Sequence, residues 1–365
     1  MKICFVVSQL FAWGTYGGFG TMTRNIARGL VERGIEVHAI VPKRRGQNKK
    51  EILDGIKIHG INLLNPREII NTHKEIDADI YHSEEPYWGT FLAKIFQPNK
   101  KHIVTFIDPR TFYDWWIEIS FYPFKKKLIS PLYYFFERSL FISWSVRNAN
   151  LLCKQTNFIE SKARRIYSIP NDKEVMFLPN PIKNSIGDIN KSSNPSVFFL
   201  ARLDRRKRPE LCFKLASKFP QITFNIIGKS HDISYEQYLK DKYKHFNNLF
   251  FHGLIDQYQS EKMFNILRES WILINTAARE GLPAAFLESM AYECAILSSN
   301  NPDNLTSQFG YFAENDDFEM GLAWLIEKNR WRELGKKGKE YFIQKYEWDH
   351  AINRHIEIYE KALQK

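Results

Sequence analysis

The sequence predicts an α/β protein in which two Rossmann-like domains face a cleft. The first observation is the run Lys2–Ser8, which has the pattern of a buried strand and leads through a glycine-rich loop into a helix. The second is a new series of strand and helix patterns that begins at Ser196–Leu200. The third is the polar stretch 183–194 between the two series, which is followed by Pro195 and predicts a linker.

The first series opens with a β-loop-α-β unit, the usual start of a doubly wound parallel sheet. After the loop 13–20, Met22, Ile26 and Leu30 recur every four residues and give the helix one apolar face. Later strands of this domain, residues 1–182, are expected at Glu36–Val41, Ile80–Tyr81, Ile103–Phe106, Leu151–Cys153 and Val175–Leu178.

The second series predicts a domain over residues 195–346. Its strands are expected at Ser196–Leu200, Thr223–Ile227, Leu249–His252, Trp271–Asn275 and Ala295–Ser298, with helical segments between them. The chain then ends in an amphipathic helix near Asp349–Ala362.

Composition narrows the class of protein. The chain has 365 residues, of which 44% are apolar and 25% charged, so it is long enough for two cores and is not of the disordered type. The net charge of +11 fits an anionic partner: nucleic acid, a membrane surface or a phosphorylated substrate. We see no nucleic-acid motif and no stretch long enough to span a bilayer, and we interpret the N-terminus as a first strand.

The cysteines do not indicate a metal site. Cys4, Cys153, Cys212 and Cys294 are scattered through apolar runs, and no Cys-x-x-Cys pair occurs. Buried free thiols are expected, which favours a reducing, cytoplasmic setting.

The most informative segment is Arg279–Ala291 (REGLPAAFLESMA). A strand feeds a loop there, and a helix is expected to open near Pro283 with its free amides available to an anion. Glu280 lies in the loop and Glu288 lies about one and a half turns inside the helix, so both carboxylates can reach a sugar nucleotide. The Glu-x7-Glu spacing alone is common by chance; the complete string favours the functional interpretation.

A basic segment follows the strand Ser196–Leu200 at its carboxyl end, where doubly wound sheets bind ligands. Five of its seven residues from Arg202 to Arg208 are cations, which suits a departing diphosphate. On its own, this run is more typical of a solvated basic loop.

Together, these segments resemble the retaining GT-B glycosyltransferases of family four (glycosyl transferases group 1). The family's Arg-x4-Lys is matched by Arg202 and Lys207, its Glu-x7-Glu by Glu280 and Glu288, and its glycine pair after strand one by Gly17 and Gly18. The resemblance extends over nearly the whole chain. It implies that the C-terminal helix, residues 349–365, crosses back to the first domain.

The resemblance also implies roles for these residues. Arg202 and Lys207 would hold the donor diphosphate, Glu288 the ribose and Glu280 the transferred sugar. The glycine pair would let the backbone approach the donor phosphates. Backbone amides of the loop and helix start would support the phosphate or sugar, and the residues concerned are Gly281, Leu282, Pro283 and Ala284.

One position departs from the family pattern. Ile107 stands where many members carry a histidine at the end of a first-domain strand. Asp108, Arg110 or His82 would then supply the polar contacts, with Asp108 and His82 as catalytic candidates and Arg110 and Glu85 as acceptor-side candidates. In a front-face retaining mechanism, the leaving phosphate can take the acceptor proton, so the histidine is not obligatory.

The resulting hypothesis is a metal-independent hexosyltransferase with a nucleotide-sugar donor, no other cofactor and a glycan or lipid-linked acceptor of polysaccharide biosynthesis. The alternative is a catalytically silent GT-B protein with a binding or scaffold role. Asp77-Ala78-Asp79 has the form of a metal motif, but it precedes a strand in a way that is typical of a solvated strand entry. His82 is equally compatible with a core histidine.

Between Arg110 and Trp144, clusters of aromatic residues lie on both sides of the run Lys125-Lys126-Lys127. Such a stretch can rest on an anionic membrane or can simply pack as a helical excursion of the first domain. The sequence therefore leaves open a weak contact with anionic membranes near Tyr113–Lys127, which would place the protein at the inner face of a membrane.

Overall fold

The computed structural model describes residues 1–182, 188–258 and 260–365. The chain forms two compact units, one from residues 1–181 and 348–365 and the other from residues 182–347. Each unit is an α/β domain around a sheet in which nearly all described strands are parallel, so the predicted fold class of two Rossmann-like domains is confirmed.

The strands of the first unit alternate with helices along the chain. Its strands are β1 (Lys2–Val6), β2 (Glu36–Pro42), β3 (Lys50–Leu53), β4 (Ile56–Ile61), β5 (Ile80–Glu84), β6 (Lys101–Phe106), β7 (Leu151–Lys154) and β8 (Val175–Phe177). The helices that precede the second unit are α1 (Gly18–Glu32), α2 (Pro66–Ile76), α3 (Trp88–Phe96), α4 (Phe112–Ser120), α5 (Phe124–Glu137), α6 (Leu140–Arg147) and α7 (Asn157–Tyr167).

The second unit repeats the alternation. Its strands are β9 (Ser196–Leu200), β10 (Thr223–Ile227), β11 (Leu249–Gly253), β12 (Ile272–Asn275), β13 (Ala295–Ser298) and β14 (Gly310–Phe312). Its helices are α8 (Pro209–Lys218), α9 (Ile233–Tyr243), α10 (Lys262–Glu269), α11 (Ala284–Ala291), α12 (Leu305–Phe309), α13 (Phe318–Ile326) and α14 (Arg330–Lys345). The chain ends with α15 (Trp348–Gln364), which belongs to the first unit.

The strand order locates the ligand-binding edge of each sheet. In the first unit the order is β3-β4-β2-β1-β5-β6-β7-β8, and in the second it is β11-β10-β9-β12-β13-β14. The chain therefore reverses its direction of progress between β1 and β5 in one sheet, and between β9 and β12 in the other. Such topological switch points leave a crevice outside the carboxyl ends of the strands, where open α/β sheets bind ligands.

Apolar side chains fill the space between each sheet and its helices. In the first unit the core includes Phe5, Ile26 and Leu30, and Ile352 and Tyr359 of α15 pack into it. The C-terminal helix thus completes the core of the first unit, because without it these apolar faces would be open to water.

The structure corrects the predicted linker. Residues 183–187 of that stretch lie outside the described part, but the residues after them are held by the second unit. Ser192 accepts a hydrogen bond from Trp271 Nε1 at 2.9 Å, and Lys191 Nζ donates to the carbonyl of Tyr292 at 2.7 Å. Residues 191–192 are therefore an ordered part of the second unit.

Three strands were not predicted from the sequence. β3 and β4 form an antiparallel hairpin, and β14 is a three-residue edge strand. The hairpin had a readable signal, since Asp54-Gly55 between alternating apolar residues is a typical two-residue turn with positive φ, and both residues adopt it here. No helix in the described ranges is long and apolar enough to cross a bilayer.

Candidate functional site

The two segments singled out in the second domain meet at its topological switch point. β9 and β12 pair in parallel, with Val197 opposite Ile272, so the chain segments that leave their carboxyl ends start side by side. The backbones then bond to each other: Ala278 N donates to Arg206 O at 2.9 Å, and Thr276 Oγ1 donates to Lys207 O at 2.7 Å. Residues about 70 positions apart in sequence thus form one surface.

An ion pair joins the two segments at the centre of this surface. Lys207 Nζ pairs with Glu280 Oε1, and the two side chains are only 13% and 11% exposed. Burial lowers the pKa of Lys207, and the facing Glu280 carboxylate opposes that shift. The pair places a cation and a carboxylate at the strand ends. A phosphate that binds there can replace Glu280 as the ion-pair partner of Lys207.

Arg202 is placed beside this pair and remains partly open to solvent. Its Nε lies 3.2 Å from Asp204 Oδ2, and its side chain is 31% exposed. By contrast, Arg208 is held within the protein, because it donates to Thr276 O at 2.7 Å and to Asp316 Oδ2 at 2.6 Å. Of these two arginines of the basic run, Arg208 fixes the loop, whereas Arg202 keeps part of its side chain at the surface.

The helix start also differs slightly from the sequence prediction. Pro283 is the residue before α11 and has an extended conformation, so the helix begins at Ala284. No side chain caps this end of α11. Its first amides, with Gly281 and Leu282 just before them, are available to an anion, which a helix N-terminus favours.

Glu288 lies in the second turn of α11 and is buried, with 8% of its surface exposed. Desolvation raises the pKa of Glu288 to about 7. The structure records no hydrogen bond to this carboxylate among the described residues, so its oxygens are open to ligand hydroxyls.

In the first unit, the switch point between β1 and β5 carries the glycine-rich loop. Gly17 precedes α1 with φ of 144°, a backbone conformation that favours glycine, and a Cβ there would meet no atom within 4 Å. Gly18, the first residue of α1, is exposed. The loop therefore offers an open backbone surface at this point.

Glu84 at the end of β5 was not identified from the sequence. Thr23 Oγ1 of α1 donates to Glu84 Oε2 at 2.5 Å, and desolvation raises the pKa of Glu84 to about 7. Its place at a strand end beside the switch point is the signal that could have found it.

His82 corrects a sequence-based candidate. The ring is 0% exposed, with Nδ1 hydrogen-bonded to Tyr359 Oη at 2.9 Å and Nε2 to Thr105 Oγ1 at 2.8 Å. Burial lowers the pKa of His82 well below its usual value, so the ring is neutral. The catalytic assignment of His82 is wrong because both nitrogens are used inside the core.

Glu85 acts on the neighbouring loop. Its carboxylate accepts hydrogen bonds from the amides of Ile107 at 2.8 Å and Asp108 at 2.5 Å, and burial raises its pKa to about 8. Asp108 and Arg110 remain 28% and 31% exposed. Glu85 thus positions the loop through its carboxyl group. Arg110 lies between two carboxylates, with its Nε 3.8 Å from Asp108 Oδ2 and its Nη1 3.5 Å from Glu137 Oε1.

Other candidates have structural roles. Asp79 Oδ2 accepts from the amide of Lys2 at 2.7 Å, and Asp77 pairs with Lys100 at 2.8 Å, as expected for a strand entry. The four cysteines are buried free thiols, which confirms that prediction. Within the described residues, no group of three or more His, Cys, Asp or Glu side chains is arranged to hold a metal ion.

Two family models match the chain. Residues 16–184 match the model described as Glycosyltransferase Family 4, and residues 183–345 match Glycosyl transferases group 1. The O-antigen biosynthesis glycosyltransferase WbnH of Escherichia coli is 28% identical over 137 residues, which covers 36% of this chain and 37% of that protein. The aligned region is thus much shorter than either protein.

Solved structures share the whole fold. The sucrose-phosphate synthase of Thermosynechococcus elongatus superposes with a TM-score of 0.75 at 13% identity and covers 100% of this chain and 99% of its own. Anabaena HepE, solved in complex with UDP-glucose, gives 0.70 at 12% identity, with 99% and 100% covered. At these identities the likeness shows the fold, which is GT-B, and the two family models support a glycosyltransferase of this type.

Proposed function

We propose that this GT-B glycosyltransferase transfers a hexosyl group from a nucleoside-diphosphate sugar with retention of configuration and without a metal. The observation that carries the proposal is the buried pair of Lys207 and Glu280 at the switch point of the second sheet, with the unpartnered Glu288 carboxylate on the adjoining helix. A cation for phosphate, a carboxylate for the sugar and a carboxylate for ribose are the groups that such a donor requires.

The diphosphate is the anionic part of the donor. Lys207 and Arg202 supply positive charge, and the uncapped amides at the start of α11 add hydrogen-bond donors. Charge develops on the β-phosphate as the bond to the sugar breaks, so fixed cations there stabilise the transition state more than the ground state.

The two carboxylates have different tasks. When ionised, Glu288 accepts hydrogen bonds from the ribose hydroxyls. Glu280 accepts from hydroxyls of the sugar once a phosphate oxygen has replaced it as the partner of Lys207. Donor binding thereby exchanges one ion pair for another and does not leave a buried charge without a partner.

Retention follows a front-face exchange. The bond from the anomeric carbon to the β-phosphate oxygen breaks, and the acceptor oxygen bonds to the same face of that carbon. The acceptor proton moves to the departing phosphate oxygen, so no protein base is required. This explains how the site works with Ile107 in place of the family's histidine.

The first unit is proposed to bind the acceptor. Asp108 and Arg110 are the partly exposed polar groups of the loop that Glu85 positions, and Gly17 and Gly18 offer an open backbone surface. The relative WbnH is described as an O-antigen biosynthesis glycosyltransferase, which makes a glycan or lipid-linked acceptor our first choice. Such an acceptor would place the protein at the inner face of a membrane.

A catalytically silent GT-B protein is the rival, and Ile107 is the observation that favours it. Slow hydrolysis of the donor separates the two functions, because a scaffold protein would bind a nucleotide sugar without releasing its sugar. UDP-glucose is the first donor to test, since HepE was solved with it.

The first prediction concerns the carboxylate pair. Glu280→Gln and Glu288→Gln should each lower the rate of transfer or donor hydrolysis by at least about 100-fold, because each removes a charged contact to the donor. Glu288→Gln should unfold at nearly the wild-type temperature. Glu280→Gln should remain folded at the assay temperature but unfold at a lower temperature than wild type, because it removes the carboxylate that compensates buried Lys207. Glu333→Gln, at an exposed position in the same unit, is the matched control. Wild-type rates in both donor-site variants would overturn the assignment.

The second prediction concerns pH. Because Glu288 has a pKa of about 7 and must be ionised to accept from ribose, affinity for UDP-glucose should rise as the pH increases through 7. If only the ionised form binds, the apparent dissociation constant should fall about tenfold between pH 6 and pH 8. The donor itself keeps its charge over this range. In calorimetric titrations, the dissociation constant of Glu288→Gln should not change with pH. If it falls with pH as steeply as in wild type, a group other than Glu288 is responsible for the pH dependence.

The third prediction concerns metal ions. Activity should survive dialysis against EDTA, because Lys207, Arg202 and a helix N-terminus take the place of a divalent cation at the diphosphate. The measurement is the transfer rate before and after chelation. Complete loss that is restored by manganese or magnesium would contradict metal independence.

A further inference from the structure

A broad apolar surface lies on the three helices that follow β6. The side chains of its main members are between 65% and 81% exposed, and we call this set the apolar face: Phe112, Trp116, Leu128, Leu132, Phe135 and Leu140. Soluble proteins seldom leave so many large apolar side chains exposed together without a binding partner.

Helix geometry aligns the members of the face that lie on α4 and on α5. Phe112 and Trp116 are four residues apart on α4, and Leu128, Leu132 and Phe135 follow the i, i+4, i+7 spacing on α5. Contact between the Phe112 and Tyr134 rings, with centroids 5.9 Å apart, joins the two helices.

The opposite sides of these helices are packed into the domain. Trp115 is 4% exposed and Ser130 is 0% exposed, so both helices have one side against the protein and one side in water. The face is therefore exposed even though the other side of each helix is well packed.

Both signs of charge occur around the face: two lysines lie at the start of α5, and Glu137 at its end is partly exposed, with Arg110 Nη1 3.5 Å from its carboxylate. Lys126 and Lys127 are exposed at the start of α5. The two acidic residues of α4 are buried: Asp114 is 5% exposed and pairs with Lys162 at 3.0 Å, and Glu118 is 6% exposed. A partner of this surface meets apolar side chains flanked by lysines.

We propose that the apolar face inserts into an anionic lipid bilayer, with Lys126 and Lys127 at the level of the phosphate headgroups. Aromatic and leucine side chains beside lysines are the composition of helices that lie in a membrane interface. A second copy of the chain fits less well, because it would bring lysines of both copies together, and the Asp114 and Glu118 carboxylates are buried.

This inference deepens the membrane contact proposed above and changes its location. The sequence placed the contact at Tyr113–Lys127, with the lysines as its main element, whereas the exposed apolar residues continue to Leu140. The side chain of Lys125 lies outside what the structure describes. Insertion of apolar groups predicts binding that high salt weakens but does not abolish.

The test is flotation of the full chain with vesicles of phosphatidylcholine, with and without phosphatidylglycerol, at low and high salt. Wild type should float with the anionic vesicles and in part remain bound at high salt. Lys126→Gln/Lys127→Gln should lower the partition coefficient about 25-fold at low salt, from about fivefold per lysine. Leu128→Ser/Leu132→Ser/Phe135→Ser should lose at least about tenfold at every salt concentration.

The matched control is Ile233→Ser/Tyr238→Ser/Met320→Ser, which removes exposed apolar side chains from the second unit and should float like wild type. Circular dichroism and gel filtration confirm that each variant is folded and report its oligomeric state. Lipid binding is measured without transfer, so the result is independent of the enzymatic proposal. Absence of flotation, or a dimer that the face variants convert to monomers, would overturn the inference.

Discussion

The candidate donor site depends on the ion pair between Lys207 and Glu280. The pairing of β9 with β12 brings the two chain segments side by side, and Thr276 ties their backbones together. The buried cation and carboxylate then compensate each other, because either one alone would be costly at such a position. A nucleotide sugar can enter this arrangement by exchanging partners, with its phosphate on the lysine and its hydroxyls on the glutamate.

The two segments of the candidate site could be identified from the sequence because their motifs are local. Residues 202–210 and 279–291 each follow a strand, and the strand ends of a doubly wound sheet are known binding positions. The structural role of Arg208 could not be predicted in this way, since its partner Asp316 lies on a segment far away in the sequence. The Asp54-Gly55 hairpin could have been predicted from its turn residues, and the linker was misjudged because polarity alone does not show that Lys191 reaches the carbonyl of Tyr292.

The first unit shows where strand-end reasoning fails. His82 occupies a promising place on β5, yet α15, from the other end of the chain, supplies Tyr359 to its ring. Only the tertiary fold reveals that contact. Of its two neighbours, Glu84 was not identified from the sequence and Glu85 was assigned to the acceptor. In the structure, Glu85 accepts hydrogen bonds from the amides of Ile107 and Asp108 and so holds that loop. Polar groups at a strand end therefore divide between ligand contact and support of the loops that make it.

The central claim is that donor phosphate displaces Glu280 from Lys207. The most direct measurement compares UDP binding with UDP-glucose binding by calorimetry in wild type and Glu280→Gln. UDP has no sugar, so neutralising Glu280 should free Lys207 and tighten UDP binding, while UDP-glucose should bind more weakly because its sugar loses a carboxylate. Equal or weaker binding of UDP by Glu280→Gln would contradict the exchange of partners on which this account of the site is built.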